Sequence, residues 1–428
     1  MIRRFAWGLL LVMVAAAPLA AQTTEVRLDI KGAGQRIHVR TEPLAPLGDQ
    51  SARDLARQAD DVLARDLAWS AVFTVDTPGS SMTPGSEPQA IVGGTFTQHG
   101  NQIALHGEAV DGVSRKSILT RDYRAPTTAW RALVHRFADD LVMQFTGEPG
   151  VASTRIAFIG VNGRDKELYV MDWDGWYVRA LTHDRSIAQS PAWSPDGSLI
   201  LFTSYRGGTG PRVYVTPATG GNVYLVSGHP GLNTSASYSP DGREIACTLS
   251  QDGNAEIYRM DARGADPRRL TTSRGIDTSP TWSPTGRELA FTSDRGGNPQ
   301  VYLMDREGGN TRRLTFDLTY TDSPAWSPKG DRIAFVARSS AGFDIYTCRP
   351  DGTDLRLEVT GGSNENPHWS PDGRHLLFAS SRDGPFGLYI SDLDQGAPRR
   401  IDTGGLVSLS PAWSPRLAEP AANLDDRH

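Results

Sequence analysis

The chain has 428 residues, 38% hydrophobic and 22% charged, with a formal net charge of -5, 44 Gly, 28 Pro and 2 Cys. That composition excludes a disordered, collagenous or disulfide-stapled chain, and the acidic balance argues against a nucleic-acid binder. So much Gly and Pro points to an all-β architecture of many short strands.

Arg3 and Arg4 precede the apolar run Phe5–Leu19, and Ala20-Ala21-Gln22 follows. A basic start, a short apolar stretch and small residues predict a secretory signal peptide over residues 1–21. The run is shorter than the roughly 20 apolar residues of a membrane span, so no direct membrane insertion is expected. Cys247 and Cys348 replace larger apolar residues in strands of different repeats. They read as buried hydrophobes rather than a bridge, which suits a periplasmic location.

Residues 22–147 carry an expected N-terminal α/β (α+β) domain. Val26, Leu28 and Ile30 alternate, as do Ile37 and Val39, predicting two strands. Ser51–Trp69 places Leu55, Ala59, Val62, Leu63 and Leu67 on one helical face. Strand-like runs follow at Ala71–Val75, Ala90–Thr97, Gln102–Glu108 and Ser117–Arg124. A second helix is expected from Thr127 to Phe145, with Trp130, Leu133, Val134, Phe137 and Leu141 inward. Residues 148–154 then read as a short hinge.

From residue 155 to 415 the sequence repeats. PAWSPDG, ASYSPDG, PTWSPTG, PAWSPKG, PHWSPDG and PAWSPR align on Trp193, Tyr238, Trp282, Trp326, Trp369 and Trp413, spaced by 43 to 45 residues. Each repeat reads as four strands, A to D. Ser-Pro-Asp-Gly fits a type I turn joining A to B, because Pro presets φ and Gly suits the last position. Arg-Gly-Gly loops join B to C, and Asp-Gly pairs join C to D. A four-stranded unit of this length repeated round a ring is a β-propeller blade. The last A strand has no B, C or D after it, while an orphan set (Ile156–Ile159, Leu168–Met171, Val178–Leu181) precedes the first. Six blades therefore close with strands from both ends of the domain. Residues 416–428 form a tail with no assigned role.

No constellation for chemistry stands out. The chain has no G-x-S-x-G, G-x-x-x-x-G-K-[ST], H-E-x-x-H or C-x-x-C, and its nine His are scattered. Asp172-Trp173-Asp174-Gly175 reads as a turn, and Arg268-Arg269, Arg312-Arg313 and Arg399-Arg400 as charged outer edges. No enzyme, cofactor or metal site is expected. What remains is the set of D-to-A connections, which converge on one mouth of the central channel. Their candidate binding residues are Gln189, Ser190, Asn233, Thr234, Asp277, Thr278, Tyr320, Asp322, Asn364, Glu365 and Ser408.

Four features resemble the TolB family, periplasmic components of the bacterial Tol–Pal system. They are the opening Glu25-Val26-Arg27-Leu28-Asp29-Ile30, the junction Phe145-Thr146-Gly147-Glu148-Pro149-Gly150 with Thr154-Arg155-Ile156-Ala157, the W-S-P-D-G blades, and the ending Ser410-Pro411-Ala412-Trp413-Ser414-Pro415. Ala236-Ser237-Tyr238 departs from the blade motif. The resemblance implies a non-enzymatic, monomeric adaptor supporting outer-membrane integrity and constriction during cell division. It would bind the lipoprotein Pal at the mouth residues above, and TolA through Gln22, Thr23, Thr24, Glu25, Val26, Arg27 and Leu28. The rival expectation is a periplasmic propeller that takes a peptide or glycan in its channel, or a propeller enzyme.

Overall fold

A computed structural model describes residues 36–48, 50–79, 87–208, 210–340, 342–393 and 396–417. The expected signal peptide, the strand at Val26–Ile30, the segment Gln22–Leu28 and the tail from residue 418 lie outside the described residues.

The N-terminal region begins with β1 (Ile37–Thr41), β2 (Ala45–Leu47), α1 (Gln50–Trp69) and β3 (Phe73–Asp76). Then come β4 (Ala90–His99), β5 (Gln102–Asp111), β6 (Ser117–Pro126) and, after a single 3-10 turn, α2 (Trp130–Thr146). The strands form one mixed sheet in the order β3-β1-β4-β5-β6, with β2 paired to β4. β1 runs parallel to β3 and β4, while β4, β5 and β6 are an antiparallel meander. β2 escaped the sequence reading because three residues that include Pro46 show no period. Both helices pack on the sheet through apolar faces that include Ala59, Val62, Leu63, Val134, Phe137 and Leu141. Gly107 in β5 makes room for this. A Cβ there would stand 2.6 Å from the Phe137 ring. α2 ends where Gly147 turns left-handed (φ 79°) and its N–H caps the Met143 carbonyl.

Six four-stranded sheets follow, each ordered A-B-C-D. Blades one to five begin at the A strands Ala188–Trp193, Asn233–Tyr238, Asp277–Trp282, Thr321–Trp326 and Asn364–Trp369. In blade six, Val407–Trp413 supplies strand A and pairs antiparallel with Arg155–Asn162, which is followed by Asp165–Asp172 and Arg179–Ala180. The ring thus closes with strands from both ends, as the repeat count requires.

The motif residues have defined tasks. In the A-to-B turn of blade one, Gly197 N–H donates to Ser194 O at 2.9 Å, and the same bond recurs at Gly242, Gly286, Gly330 and Gly373. Each blade but the second sets a B-strand Phe opposite a C-strand Tyr: Phe158–Tyr169, Phe202–Tyr214, Phe291–Tyr302, Phe335–Tyr346 and Phe378–Tyr389. In the second blade Cys247 takes the Phe position opposite Tyr258. Burying one such Phe is worth about 1.5–3 kcal/mol. Cys247 and Cys348 are unpaired and buried, and burial pushes their thiols up to about 12 and about 11.

The N-terminal sheet and helices share one apolar core with blades five and six, which contribute Leu377, Leu388, Ile390, Ile401, Trp173 and Trp413. Arg36 bonds Asp392 at 2.8 Å and Arg399 donates to Trp69 O at 3.2 Å across the same contact. Arg416 Nη2 donates to Pro149 O at 2.7 Å, tying the hinge to the end of the last A strand.

Candidate functional site

The six A strands are neighbours round the ring, so they line the axis. Their first six aligned residues share one design. Positions one, four and six are enclosed or nearly so, while two and three are half-exposed. A regular strand would alternate strictly. Here one extra residue is inserted in strand A between positions two and five, and the register with strand B shifts by one. This bulge brings position one and the aromatic at position six to the same side.

The bulge residue is position three in every blade. Ser190, Ser235, Ser279, Ser323, Asn366 and Ser410 all have φ between 45° and 55°. Six non-glycine residues in the left-handed region form a ring, and each precedes Pro except Ser235. The sequence carries a signal for it, the recurrent small polar residue before Pro.

The expected mouth residues therefore separate into two groups. Asn233, Asp277, Asn364 and Ser408 occupy position one and are fully buried. Asn233 Oδ1 accepts from Ser227 Oγ (2.7 Å) and His229 N (2.9 Å). Asn364 Oδ1 accepts from Ser380 Oγ (2.8 Å), and its Nδ2 donates to Phe343 O (3.0 Å). Asp277 takes Arg295 Nη2 at 2.7 Å, and burial raises its pKa despite that partner. Ser408 Oγ donates to Thr403 Oγ1 at 3.0 Å. Their polar atoms hold the blade corners instead of facing the channel.

Position two holds Gln189, Thr234, Thr278, Asp322, Glu365 and Leu409, all half-exposed. Asp322 accepts Thr292 Oγ1 of the preceding blade at 2.8 Å, its own neighbour Ser323 N at 2.6 Å and Tyr320 OH at 3.3 Å. Tyr320 lies in the connection before the strand, where burial and then Asp322 push its phenol up to about 12. Its ring meets Phe343 at a tilt, centroids 5.6 Å apart, and lies under the Arg338 guanidinium, 4.9 Å away. On two neighbouring D-to-A connections Ile276 and Phe316 are exposed, at 54% and 67%. Ile276 lies in a connection that the sequence already assigns to the mouth, whereas Phe316 does not stand out, because no periodic pattern governs loop residues.

Further along the axis, toward the Ser-Pro turns, the channel widens into a cavity of about 590 Å³. Its wall is position three onward, mostly Ser, Pro and Trp, with His368 and Arg416. Of the expected mouth residues only Ser190 reaches it. Burial lowers the His368 pKa, which favours the neutral imidazole. No carboxylate lines this cavity, and no described group of three or more His, Cys, Asp or Glu could hold a metal ion.

A second polar cluster lies away from the channel. Asp174 of the blade-six C-to-D corner is buried and paired with Arg131 of α2, and Arg65 stands 3.9 Å away. His135 Nδ1 lies 2.6 Å from Asp66 Oδ2. Burial opposes the imidazolium, yet the Asp66 carboxylate overrides it and raises the His135 pKa. The Asp172–Gly175 segment is thus a turn, with Gly175 N–H donating to Asp172 O at 3.0 Å, and an ionic anchor as well.

The model of the TolB beta propeller domain matches residues 142–417. The Tol-Pal system protein TolB of Desulfosudis oleivorans is 37% identical over 183 residues, covering 43% of this chain and 41% of that protein. The protein TolB homolog of Chlorobium chlorochromatii is 38% identical over 234 residues, covering 51% of this chain and 52% of that protein. The chain thus spans about half or less of the curated relatives it matches. The crystal structure of TolB from Acinetobacter baumannii superposes with a TM-score of 0.79 at 26% identity, covering 89% of this chain and 97% of that one.

Proposed function

Since this chain belongs to the TolB β-propeller family, we propose that it is a non-enzymatic component of a periplasmic Tol–Pal system. In this reading it is a monomeric adaptor that binds Pal at the D-to-A mouth and TolA through Gln22–Leu28, serving outer-membrane integrity and constriction. The domain limits are those of the sequence reading: 1–21, 22–147, 148–154, 155–415 and 416–428.

The observation that carries it is the composition of the mouth. It offers half-exposed Gln189, Thr234, Thr278 and Glu365 beside exposed Ile276 and Phe316. Asp322 is occupied by three donors. Half-exposed polar side chains on the axial strands, with exposed apolar ones on the connections leading to them, suit protein recognition better than proton transfer. Pal contacts are assigned to these residues and Tyr320, and the four enclosed position-one residues are assigned to scaffolding.

Binding of purified Pal, measured by calorimetry, tests this. The joint variant Ile276→Ser, Phe316→Ser should lose at least about tenfold in affinity, the scale of a hot-spot pair, and Asp322→Lys should weaken binding too. Deleting residues 22–30 should spare Pal and weaken TolA. Absence of any Pal binding by the unaltered protein would falsify the reading. The 590 Å³ cavity supports a second one, because its size suits a small peptide or glycan. A thermal shift with muropeptides in place of Pal would favour that alternative.

A further inference from the structure

A small cavity of about 10 Å³ lies between α1, α2, the hinge and the blade-six C-to-D corner. Asp66, Ser70, Asp139, Val142, Val151 and Trp173 are among its walls. Two of the lining residues each carry a buried polar atom without a hydrogen-bond partner, Asp66 Oδ1 and Trp173 Nε1. Their residues are 1% and 0% exposed. One orphan is an acceptor and the other is a donor.

That pairing limits the occupant. The indole N–H repels a cation, and the carboxylate repels an anion. Only a neutral group that both accepts and donates serves both atoms. The volume is at the lower limit for a single buried water. Ser70 offers no alternative partner, because its hydroxyl already donates to Leu67 O at 2.7 Å.

We propose that this cavity is a binding site for one structural water. The water accepts from Trp173 Nε1 and donates to Asp66 Oδ1. Its second hydrogen faces the Asp139 carboxylate, whose oxygens already take Ala152 N at 2.7 Å and Ser153 N at 2.9 Å in the hinge. The site joins α1 of the N-terminal region, α2, the hinge and the last blade through one molecule. Its exchange with solvent therefore reports the opening of that contact.

A crystal structure of the full chain, at a resolution that shows ordered water, tests the assignment. The expected result is one peak within about 2.7–3.2 Å of both Trp173 Nε1 and Asp66 Oδ1. An empty cavity overturns it, and so does a rotated side chain that pairs the indole directly with a carboxylate. In solution, oxygen-17 relaxation dispersion counts long-lived waters. Ala138→Val, which fills the cavity wall, should lower that count by one relative to the unaltered protein, and an unchanged count overturns the proposal.

Discussion

Asp139 shows how a single carboxylate can set the response of the hinge to pH. It is half-buried while accepting two hinge N–H groups, and desolvation pushes its pKa up to about 6 from an ordinary 3.8. The folded state therefore holds this proton more tightly than the unfolded one. Stability falls as pH rises from about 4 to 6 and levels off above, by at most about 1.4 kcal/mol per pH unit. Asp66, Asp172 and Asp277 are raised by burial and act in the same direction. Asp392, held low by His375 and Arg399 against its burial, acts in the opposite sense, but only below the ordinary carboxylate range. His135, raised by Asp66, acts with these carboxylates near neutral pH, whereas His368, lowered by burial, acts against them. The Asp139 contribution by itself should make the protein more stable at pH 5 than at pH 7. Asp139→Asn should flatten that difference, which calorimetry at the two pH values measures. An unchanged slope would show that the hinge carboxylate does not carry it.

At the scale of the strand, the left-handed residue in each A strand decides which side chains meet the channel. Local sequence places Asn233, Asp277, Asn364 and Ser408 in the connections ahead of strand A, where they look available. Alternation alone gives no warning that one extra residue shifts the face. Holding a non-glycine residue in this region costs about 1–3 kcal/mol, and a β-branched side chain suffers most. Ser279→Val should therefore destabilise the protein by about 1–3 kcal/mol, whereas Ser279→Gly should be neutral or slightly stabilising. Urea denaturation of the two variants separates them, and equal midpoints would dismiss strain at the bulge. Apart from β2, the regular elements follow a local period. α1 and α2 follow the 3.6-residue apolar period, and the Phe–Tyr pairs follow the two-residue period of strands B and C.

For the whole molecule, closure is the controlling event. Trp413 pairs with Ile156 in register, and its indole N–H donates to Thr154 Oγ1 at 2.7 Å, so residues 259 apart complete one blade. Removing residues 407–417 would leave Arg155–Asn162 as an unpaired inner edge and take Trp413 from the core shared with the N-terminal region. Exposed edges template association. The truncated chain should elute as aggregates in size-exclusion chromatography or be recovered insoluble. A soluble product that melts at the original temperature would refute the role of closure.

By itself the sequence determined the number of blades, their turns and their closure. Those features depend on local turn chemistry and on periodicity, both written within a few residues of each other. It also marked the two helices and most strands of the N-terminal region. Only the tertiary structure decided which mouth residues are exposed, because a one-residue bulge exchanges the faces of a strand without altering its composition. It alone decided that Asp174 meets Arg131 and that Asp66 and Trp173 confront one cavity. Those partners are far apart in the chain and follow no period, so packing of the N-terminal region against the last blade is what brings their charges and dipoles together.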